Sequence, residues 1–299
     1  MSFTAVRVTV GRILVVVGIL VLLFIPYLLW GTGLKTAQSQ SQLRATFHTA
    51  QHQARAARLV PPTAPTGPSS TPPRTAPTVP DPPIGAAVGI LTIPHIDLSM
   101  AVVEGTGTAQ LQAGPGHYPG TPLPGQQGNA AIAGHRTTYQ APFYNLNQLA
   151  PGDSIYVQTV QGYFLYQVTG TQVVSPSDTS VVDATTSPQL TLTTCTPLYT
   201  ASQRLVVHAR LVAAHLAGPG TVVPPASHTQ VASTQVGRNW LAAVLWGVLV
   251  AALTVGLWFG VTRLRRGARW AVAGVGGLVW LGAVFLFFGA VAPLVPASY

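Results

Sequence analysis

Three long apolar runs divide this chain of 299 residues into membrane and non-membrane parts. They cover 13–30, 240–262 and 270–291, and none of them contains a charged side chain. At about 1.5 Å per residue, a helix of this length crosses most of a hydrocarbon core about 30 Å thick. The sequence therefore predicts three transmembrane helices. The first is longer than the apolar part of a signal peptide, which favours an uncleaved anchor over a cleaved leader.

Arginines beside these runs predict how the chain crosses the membrane. Arg7 and Arg12 precede the first run, and four arginines lie in 263–269 between the other two. Basic loops stay on the cytoplasmic side. We therefore expect a multi-pass protein of the cell membrane with its soluble part outside. The expected segments are 1–12 (cytoplasmic), 13–34 (transmembrane helix), 35–84 (extracellular stalk and proline-rich linker), 85–217 (soluble domain), 218–237 (linker), 238–262 (transmembrane helix), 263–269 (cytoplasmic loop), 270–292 (transmembrane helix) and 293–299 (extracellular carboxyl terminus).

The stalk has two parts of different composition. Residues 36–59 are rich in Gln, Ala and Arg, and they are expected to extend the first helix outward, only partly ordered because their apolar stripe is poor. Residues 61–83 are dense in proline, serine and threonine, which indicates a semi-rigid extended spacer.

The basic charge of the chain does not indicate a nucleic-acid partner. The net charge is +9 and the isoelectric point is about 10.3, but most of the basic residues flank the apolar runs or lie in the stalk. Residues 85–218 contain three arginines and five carboxylates, and are therefore mildly acidic. A nucleic-acid surface needs clustered positive charge, so that class of function is excluded for this domain.

The soluble domain has the pattern of an all-β fold. Seven or eight short alternating or apolar segments are separated by Gly, Pro, Asn and Asp, and only 143–149 looks helical. This number of strands in one domain of about 130 residues predicts a closed barrel.

Cys195 is the only cysteine of the chain, and it ends an alternating segment that predicts a strand. Arg204 begins the next predicted strand after a loop rich in turn-forming residues. If the two strands pair, the thiol and the guanidinium lie together, and a nearby positive charge favours the nucleophilic thiolate. The alternative is a small buried structural residue. Export weakens that alternative, because a single exported thiol forms no disulfide within its chain.

A thiol nucleophile needs a proton acceptor, and His135 is the histidine best placed to supply one. It follows the predicted strand 129–133, which would deliver it to the rim of the barrel. His95 and His117 lie in turns and are expected to hold loops by hydrogen bonds. His208, on the face of Arg204, is kept as a minor candidate.

Three strings in this order resemble the sortases, the membrane-bound cysteine transpeptidases of Gram-positive bacteria. They are Gly134-His135-Arg136-Thr137, Thr191-Leu192-Thr193-Thr194-Cys195 and Arg204-Leu205-Val206-Val207. Supporting strings extend the resemblance over about 88–211. Among the sortase classes, the motifs most resemble class E, the housekeeping type of actinobacteria. The resemblance implies an eight-stranded β-barrel with short helices.

The resemblance also implies a site and a reaction. His135, Cys195 and Arg204 would be the catalytic groups. Thr193 and Thr194 precede the nucleophile and Tyr139 closely follows the histidine, so they are candidates to line a peptide groove; the alternative is ordinary strand and loop packing. The partners would be surface proteins with a carboxyl-terminal LAxTG or LPxTG sorting signal, and an amine of a peptidoglycan precursor. No cofactor is expected, and the two acids Asp178 and Asp183 are too few to predict a metal site.

Three other functions remain open at this point. The barrel could be a catalytically silent, membrane-tethered binding domain. It could polymerise pilins, although Asp81-Pro82 is followed by Pro83, whereas the lid of such relatives often carries an aromatic residue after Asp-Pro. It could also be a hydrolytic cysteine peptidase that passes the acyl group to water.

Overall fold

The computed structural model describes residues 3–56, 74–200, 202–216, 239–263 and 266–292. The chain divides into two compact units. One contains the first helix and the two helices at the carboxyl end, and the other runs from Gly33 through the last strand.

Eight strands of the second unit form a closed barrel in the order β1-β2-β3-β4-β7-β8-β6-β5. The strands are β1 (Ala87–Ile93), β2 (Leu98–Glu104), β3 (Gly116–His117), β4 (Asn129–Ala133), β5 (Ser154–Thr159), β6 (Gly162–Val174), β7 (Gln189–Thr196) and β8 (Gln203–Leu216). The predicted eight-stranded barrel is therefore confirmed. Alternate side chains of these strands fill its interior, as with Leu190 and Leu192 of β7 and Val207 and Ala209 of β8.

Two of the strand pairs are parallel, and one of them determines where the reactive side chains lie. β2 pairs with β3 and β4 pairs with β7 in parallel, whereas the other neighbours are antiparallel. Ala133, the last residue of β4, pairs with Thr193 near the end of β7. Because parallel strands end at the same edge, the residues that follow β4 and those that end β7 emerge on one rim of the barrel.

A long helix, α2 (Thr32–Ala56), packs against the outside of the barrel. Leu43 and Phe47 of α2 are almost completely buried. They join a second apolar cluster with outward-facing residues of β1 and β2 and with the short helix α3 (Thr108–Ala113), namely Ile90, Ala101, Val103 and Ala113. The barrel therefore has an apolar core inside and a second apolar layer under α2.

Polar side chains of α2 also bond to the barrel. The Gln40 amide donates to the carbonyls of Ala101 and Ala113, both at 2.9 Å, and its oxygen accepts the N–H of Ala101 at 2.7 Å. Thr36 donates to the Gln112 carbonyl at 2.8 Å. The sequence predicts this segment as a partly ordered stalk, and the structure differs. Its buried face includes Thr36 and Gln40 beside Leu43 and Phe47, and an apolar stripe does not detect the two polar residues.

Part of the proline-rich segment also lies on the barrel. Ala76 forms a bridge with Gln126 and donates its N–H to the Gly125 carbonyl at 2.7 Å. The Asp81 carboxylate accepts the N–H of Gly120 at 2.9 Å. Residues 74–86 therefore follow the barrel surface before β1 begins. Residues 57–73, which include 61–73 of the predicted spacer, lie outside the described residues.

The other unit contains α1 (Phe3–Pro26), which continues into a π-helical turn at Tyr27–Gly31, together with α4 (Asn239–Arg263) and α5 (Arg266–Val291). Trp280 of α5 donates its indole N–H to Thr254 of α4 at 2.8 Å. The described residues contain five α-helices in addition to the barrel, so the expectation of an all-β fold is corrected to a β-barrel protein with substantial helix.

Within the described residues, two helices rather than the predicted three are long and apolar enough to cross a membrane. They are Trp240–Arg263 and Val272–Val291, with mean hydropathies of 2.2 and 2.1. The first run contributes the shorter apolar helix Leu14–Pro26, which spans only about 20 Å. The prediction counts 13–30 as one span, whereas α1 ends at Pro26 and a π-helical turn follows at Tyr27–Gly31.

Candidate active site

Cys195 and Arg204 lie side by side at one rim of the barrel. They are direct register partners in the antiparallel pair of β7 and β8. The Arg204 guanidinium donates through Nη1 to the Cys195 Sγ at 3.1 Å. The thiol is buried, with 7% of the residue exposed. The structure therefore joins the sulfur and the positive charge by direct contact.

The surroundings of Cys195 act on its acidity in opposite directions. Burial raises the pKa of the thiol above its ordinary value, because a thiolate loses the solvation of water. The positive charges of Arg204 and Arg136 oppose this shift and lower the pKa. Burial has the larger effect, so the thiol is protonated at neutral pH and the thiolate is a minor species.

His135 lies two residues after β4 and is 4% exposed. The Tyr139 ring packs against the imidazole, with 5.0 Å between the ring centroids. Burial lowers the pKa of His135 to about 4, because a buried imidazolium is poorly solvated. The imidazole is therefore neutral at pH 7. A neutral imidazole is able to accept a proton from a thiol, which is the role of a general base.

Hydrogen bonds attach the segment of His135 to the strand of Cys195. The Gly134 N–H donates to the Thr193 carbonyl at 3.1 Å, and the Thr194 hydroxyl donates back to the Gly134 carbonyl at 2.7 Å. The Phe143 N–H donates to the His135 carbonyl at 3.0 Å, which closes the loop beyond the histidine. These bonds fix the backbone that carries the imidazole relative to the end of β7.

The three expected groove residues occupy buried positions in the structure. Thr194 binds the Gly134 carbonyl, Tyr139 covers the His135 ring, and the Thr193 hydroxyl lies 3.1 Å from the Tyr118 hydroxyl. Thr194 and Tyr139 therefore contact the segment that carries His135. Their contact with a peptide remains a prediction.

Arg136 is a residue of the site that the sequence analysis did not single out. Its guanidinium donates to the carbonyl of Cys195 at 3.2 Å and to the hydroxyl of Thr196 at 2.7 Å. It also donates to the side-chain oxygen of Asn147 at 2.9 Å. A signal was present in the sequence, since Arg136 directly follows His135 in a domain with only three arginines.

The remaining candidate residues lie in contacts typical of loop supports. The imidazole of His117 is fully buried and lies 2.8 Å from the Glu104 carboxylate, and His95 lies 2.8 Å from Asp153. Asp178 accepts the hydroxyl of Ser180 at 2.6 Å in a turn. Across the described ranges, no three His, Cys, Asp or Glu side chains are grouped as metal ligands.

Removing the charge of Arg204 is expected to slow alkylation of the thiol. In Arg204→Ala the thiolate loses an adjacent positive charge, so the pKa of Cys195 rises and the rate of iodoacetamide labelling at pH 8 falls about tenfold. Arg204→Lys keeps the charge and is the matched control, with a smaller decrease. Because Cys195 is the only thiol, mass spectrometry of the full chain reads this site alone. Equal rates for wild type and Arg204→Ala would contradict the electrostatic role.

Comparisons with known proteins agree on one family. The family model described as "Sortase domain" matches residues 91–212. The chain is 31% identical over 219 residues to the sortase SrtE1 of Streptomyces coelicolor, an alignment that covers 68% of this chain and 56% of that protein. It is 33% identical over 135 residues to sortase D of Bacillus subtilis, covering 44% of this chain and 67% of that protein.

A solved structure gives a similar match. A variant of sortase E from Streptomyces avermitilis has 35% sequence identity and a TM-score of 0.41, and the match covers 44% of this chain and 92% of that chain. The match to SrtE1, by contrast, spans only about half of that protein's length.

Proposed function

The chain belongs to the sortase family, and from this premise we propose that its barrel is a membrane-anchored cysteine transpeptidase of the class E type. The observation that carries the proposal is the contact of the Arg204 guanidinium with the Cys195 sulfur, on the rim to which β4 also delivers His135. A thiol, a base and a fixed cation on one rim are the groups that acyl transfer through a thioester requires.

In the proposed first step, Cys195 attacks a peptide bond of the substrate. His135 takes the thiol proton, and the sulfur adds to the threonine carbonyl carbon of an LAxTG or LPxTG sorting signal. The threonine to glycine bond then breaks, and the imidazolium of His135 gives its proton to the departing glycine amine. The threonine acyl group remains on Cys195 as a thioester, and the imidazole is neutral again.

In the second step an amine takes the place of the glycine. His135 accepts a proton from the incoming amine of a peptidoglycan precursor, the nitrogen adds to the thioester carbonyl, and Cys195 leaves as a thiolate. The proton on His135 then returns the sulfur to its thiol form. The substrate protein finishes with its threonine in a new amide bond.

Arg204 is suited to both steps because its guanidinium is already fixed beside the sulfur. The negative oxygen of each tetrahedral intermediate is carried by the carbon atom that is bonded to that sulfur. Fixed donors in a site shielded from water stabilise such an oxygen strongly, and loss of one donor typically costs about 10²-fold to 10³-fold in rate.

The partners and the location follow from the same proposal. The substrates are surface proteins with a carboxyl-terminal sorting signal, and the acceptor is an amine of the cell-wall precursor. Two candidate membrane helices at the carboxyl end support attachment to the membrane. The arginine pattern supports an extracellular catalytic domain in a multi-pass protein.

The full chain in lipid nanodiscs, incubated with a labelled LAxTG peptide, tests this proposal. We expect a thioacyl adduct on Cys195 and, when an oligoglycine or a diaminopimelate-containing peptide is added, a new product that contains the amine. Both species are measured by mass spectrometry. Adducts with an LPxTG peptide but not with LAxTG would correct the motif. A hydrolysed product despite excess amine would indicate a peptidase, and no adduct with either peptide would overturn the proposal.

A further inference from the structure

Arg136 is a buried cation whose hydrogen-bond partners are all uncharged. It is 8% exposed, and its guanidinium donates to the carbonyls of Cys195 and Tyr144, to the Thr196 hydroxyl and to the Asn147 side chain. Two of these partners belong to the end of β7, and the other two belong to the loop beyond His135. Arg136 therefore joins both sides of the site through one planar group.

Arg136 has no acidic partner in the part of the chain that the structure describes. The ion pairs found there are those of His95 with Asp153 and His117 with Glu104. A buried charge without a counter-ion is costly, and a negative charge that forms nearby would offset that cost. The group near Arg136 that acquires a negative charge in the reaction is the sulfur of Cys195, whose carbonyl Arg136 holds.

We propose that Arg136 is a positioning residue for the nucleophile: its guanidinium fixes the end of β7 to the His135 loop, and its buried charge compensates that of the Cys195 thiolate. This inference rests on the proposed function. Two arginines then act on Cys195 through different atoms of that residue. Arg204 contacts the sulfur, and Arg136 contacts the backbone of the same residue.

The acidity of the thiol agrees with this arrangement. The positive charge of Arg136 lowers the pKa of Cys195, after burial and Arg204 in order of effect. A residue that served only to hold the loop would contribute its hydrogen bonds and nothing to the titration of the sulfur. The pH dependence of thiol labelling therefore distinguishes two roles of Arg136: one in which its charge also compensates the thiolate, and one in which it only supports the loop.

The test compares iodoacetamide labelling of Cys195 from pH 6 to pH 10 in the full chain and three variants. In Arg136→Gln the charge is lost and hydrogen-bond donors remain, so labelling at pH 8 is expected to fall about tenfold as the profile moves to higher pH. Arg136→Lys is expected to keep a profile near that of wild type. The control Arg210→Gln removes an exposed arginine of β8 and is expected to leave the profile unchanged.

Each outcome of the experiment bears on the inference. A displaced profile for Arg136→Gln that Arg136→Lys restores supports it. The inference is overturned if folded Arg136→Gln has the same labelling profile as wild type. It is also overturned if the profile of Arg136→Lys moves as far to higher pH as that of Arg136→Gln. If Arg136→Gln does not fold, the lysine variant alone decides: a wild-type profile supports the inference, and a displaced one overturns it.

Peptide transfer adds a separate readout. Arg136→Lys loses the planar guanidinium that bonds to both sides of the site. The kcat for transfer is therefore expected to fall while KM stays near that of wild type. Labelling does not require a peptide substrate. If wild type labels normally but forms no adduct with sorting peptides, the proposed function fails, while the labelling profiles still decide the charge role of Arg136.

Discussion

Replacing Cys195 by alanine is expected to abolish the thioacyl adduct and all peptide transfer while the barrel stays folded. Cys195 is the only cysteine of the chain, and the Arg204 guanidinium donates to its sulfur. The loss relative to wild type is expected to exceed about 10³-fold. The measurement is mass spectrometry of the full chain with a labelled sorting peptide and an amine acceptor.

A matched variant separates chemistry from binding in this experiment. Cys195→Ser preserves the size of the side chain and the fold, but its hydroxyl ionises far less readily, so transfer is expected to fall nearly as far as in the alanine variant. Peptide binding, followed by fluorescence polarisation, is expected to persist in both. If cells that carry Cys195→Ala keep the wild-type distribution of surface proteins, the barrel serves as a binding domain and the transpeptidase proposal fails.

Phe47→Ala is expected to lower the free energy of unfolding of the barrel unit by about 3–5 kcal/mol. Phe47 is 1% exposed, and it packs in the apolar layer between α2 and the outer face of β1 and β2. The truncation leaves a cavity where an aromatic ring was, which is the costliest kind of core substitution. The slowest amides of β1 and β2 are then expected to exchange hydrogen at least about 100-fold faster.

Gln42→Ala is the control for this experiment, because Gln42 lies on the exposed face of the same helix. Its effect is expected to stay within about 0.5 kcal/mol. If α2 were a solvated stalk, the two substitutions would have equally small effects on the barrel. Equal exchange rates in β1 and β2 for both variants would therefore contradict the packing of α2.

The barrel could be predicted from the sequence, but the docking of α2 could not. In β7, Leu190 and Leu192 alternate with threonines, and this period of two is a direct sign of a strand. In α2, the buried face includes Thr36 and Gln40, whose polar atoms are satisfied by backbone groups of the barrel. A hydrophobicity pattern counts those residues as exposed, because their partners are distant in sequence.

Some residues of the candidate site could also be placed from the sequence, and others could not. Cys195 and Arg204 are nine residues apart, and an antiparallel pair with a short loop brings them together by local rules. The predicted strand 129–133 and the family resemblance both single out His135, but its place on the rim of Cys195 depends on the parallel pairing of β4 with β7, a long-range contact that no sequence pattern specifies. The role of Arg136 depends on burial and on four separate partners, none of which a sequence pattern reveals.

The parallel pairing of β4 with β7 also has a consequence for how the chain acquires reactivity. The hydroxyl of Thr194 and the carbonyl of Gly134 meet across 60 residues of sequence. Contacts of such long range form slowly, because the entropy of closing the loop is lost before the contact stabilises anything. The segment of His135 therefore meets the end of β7 only when the barrel closes, so the site is completed late in folding and not by the local pairing of β7 with β8.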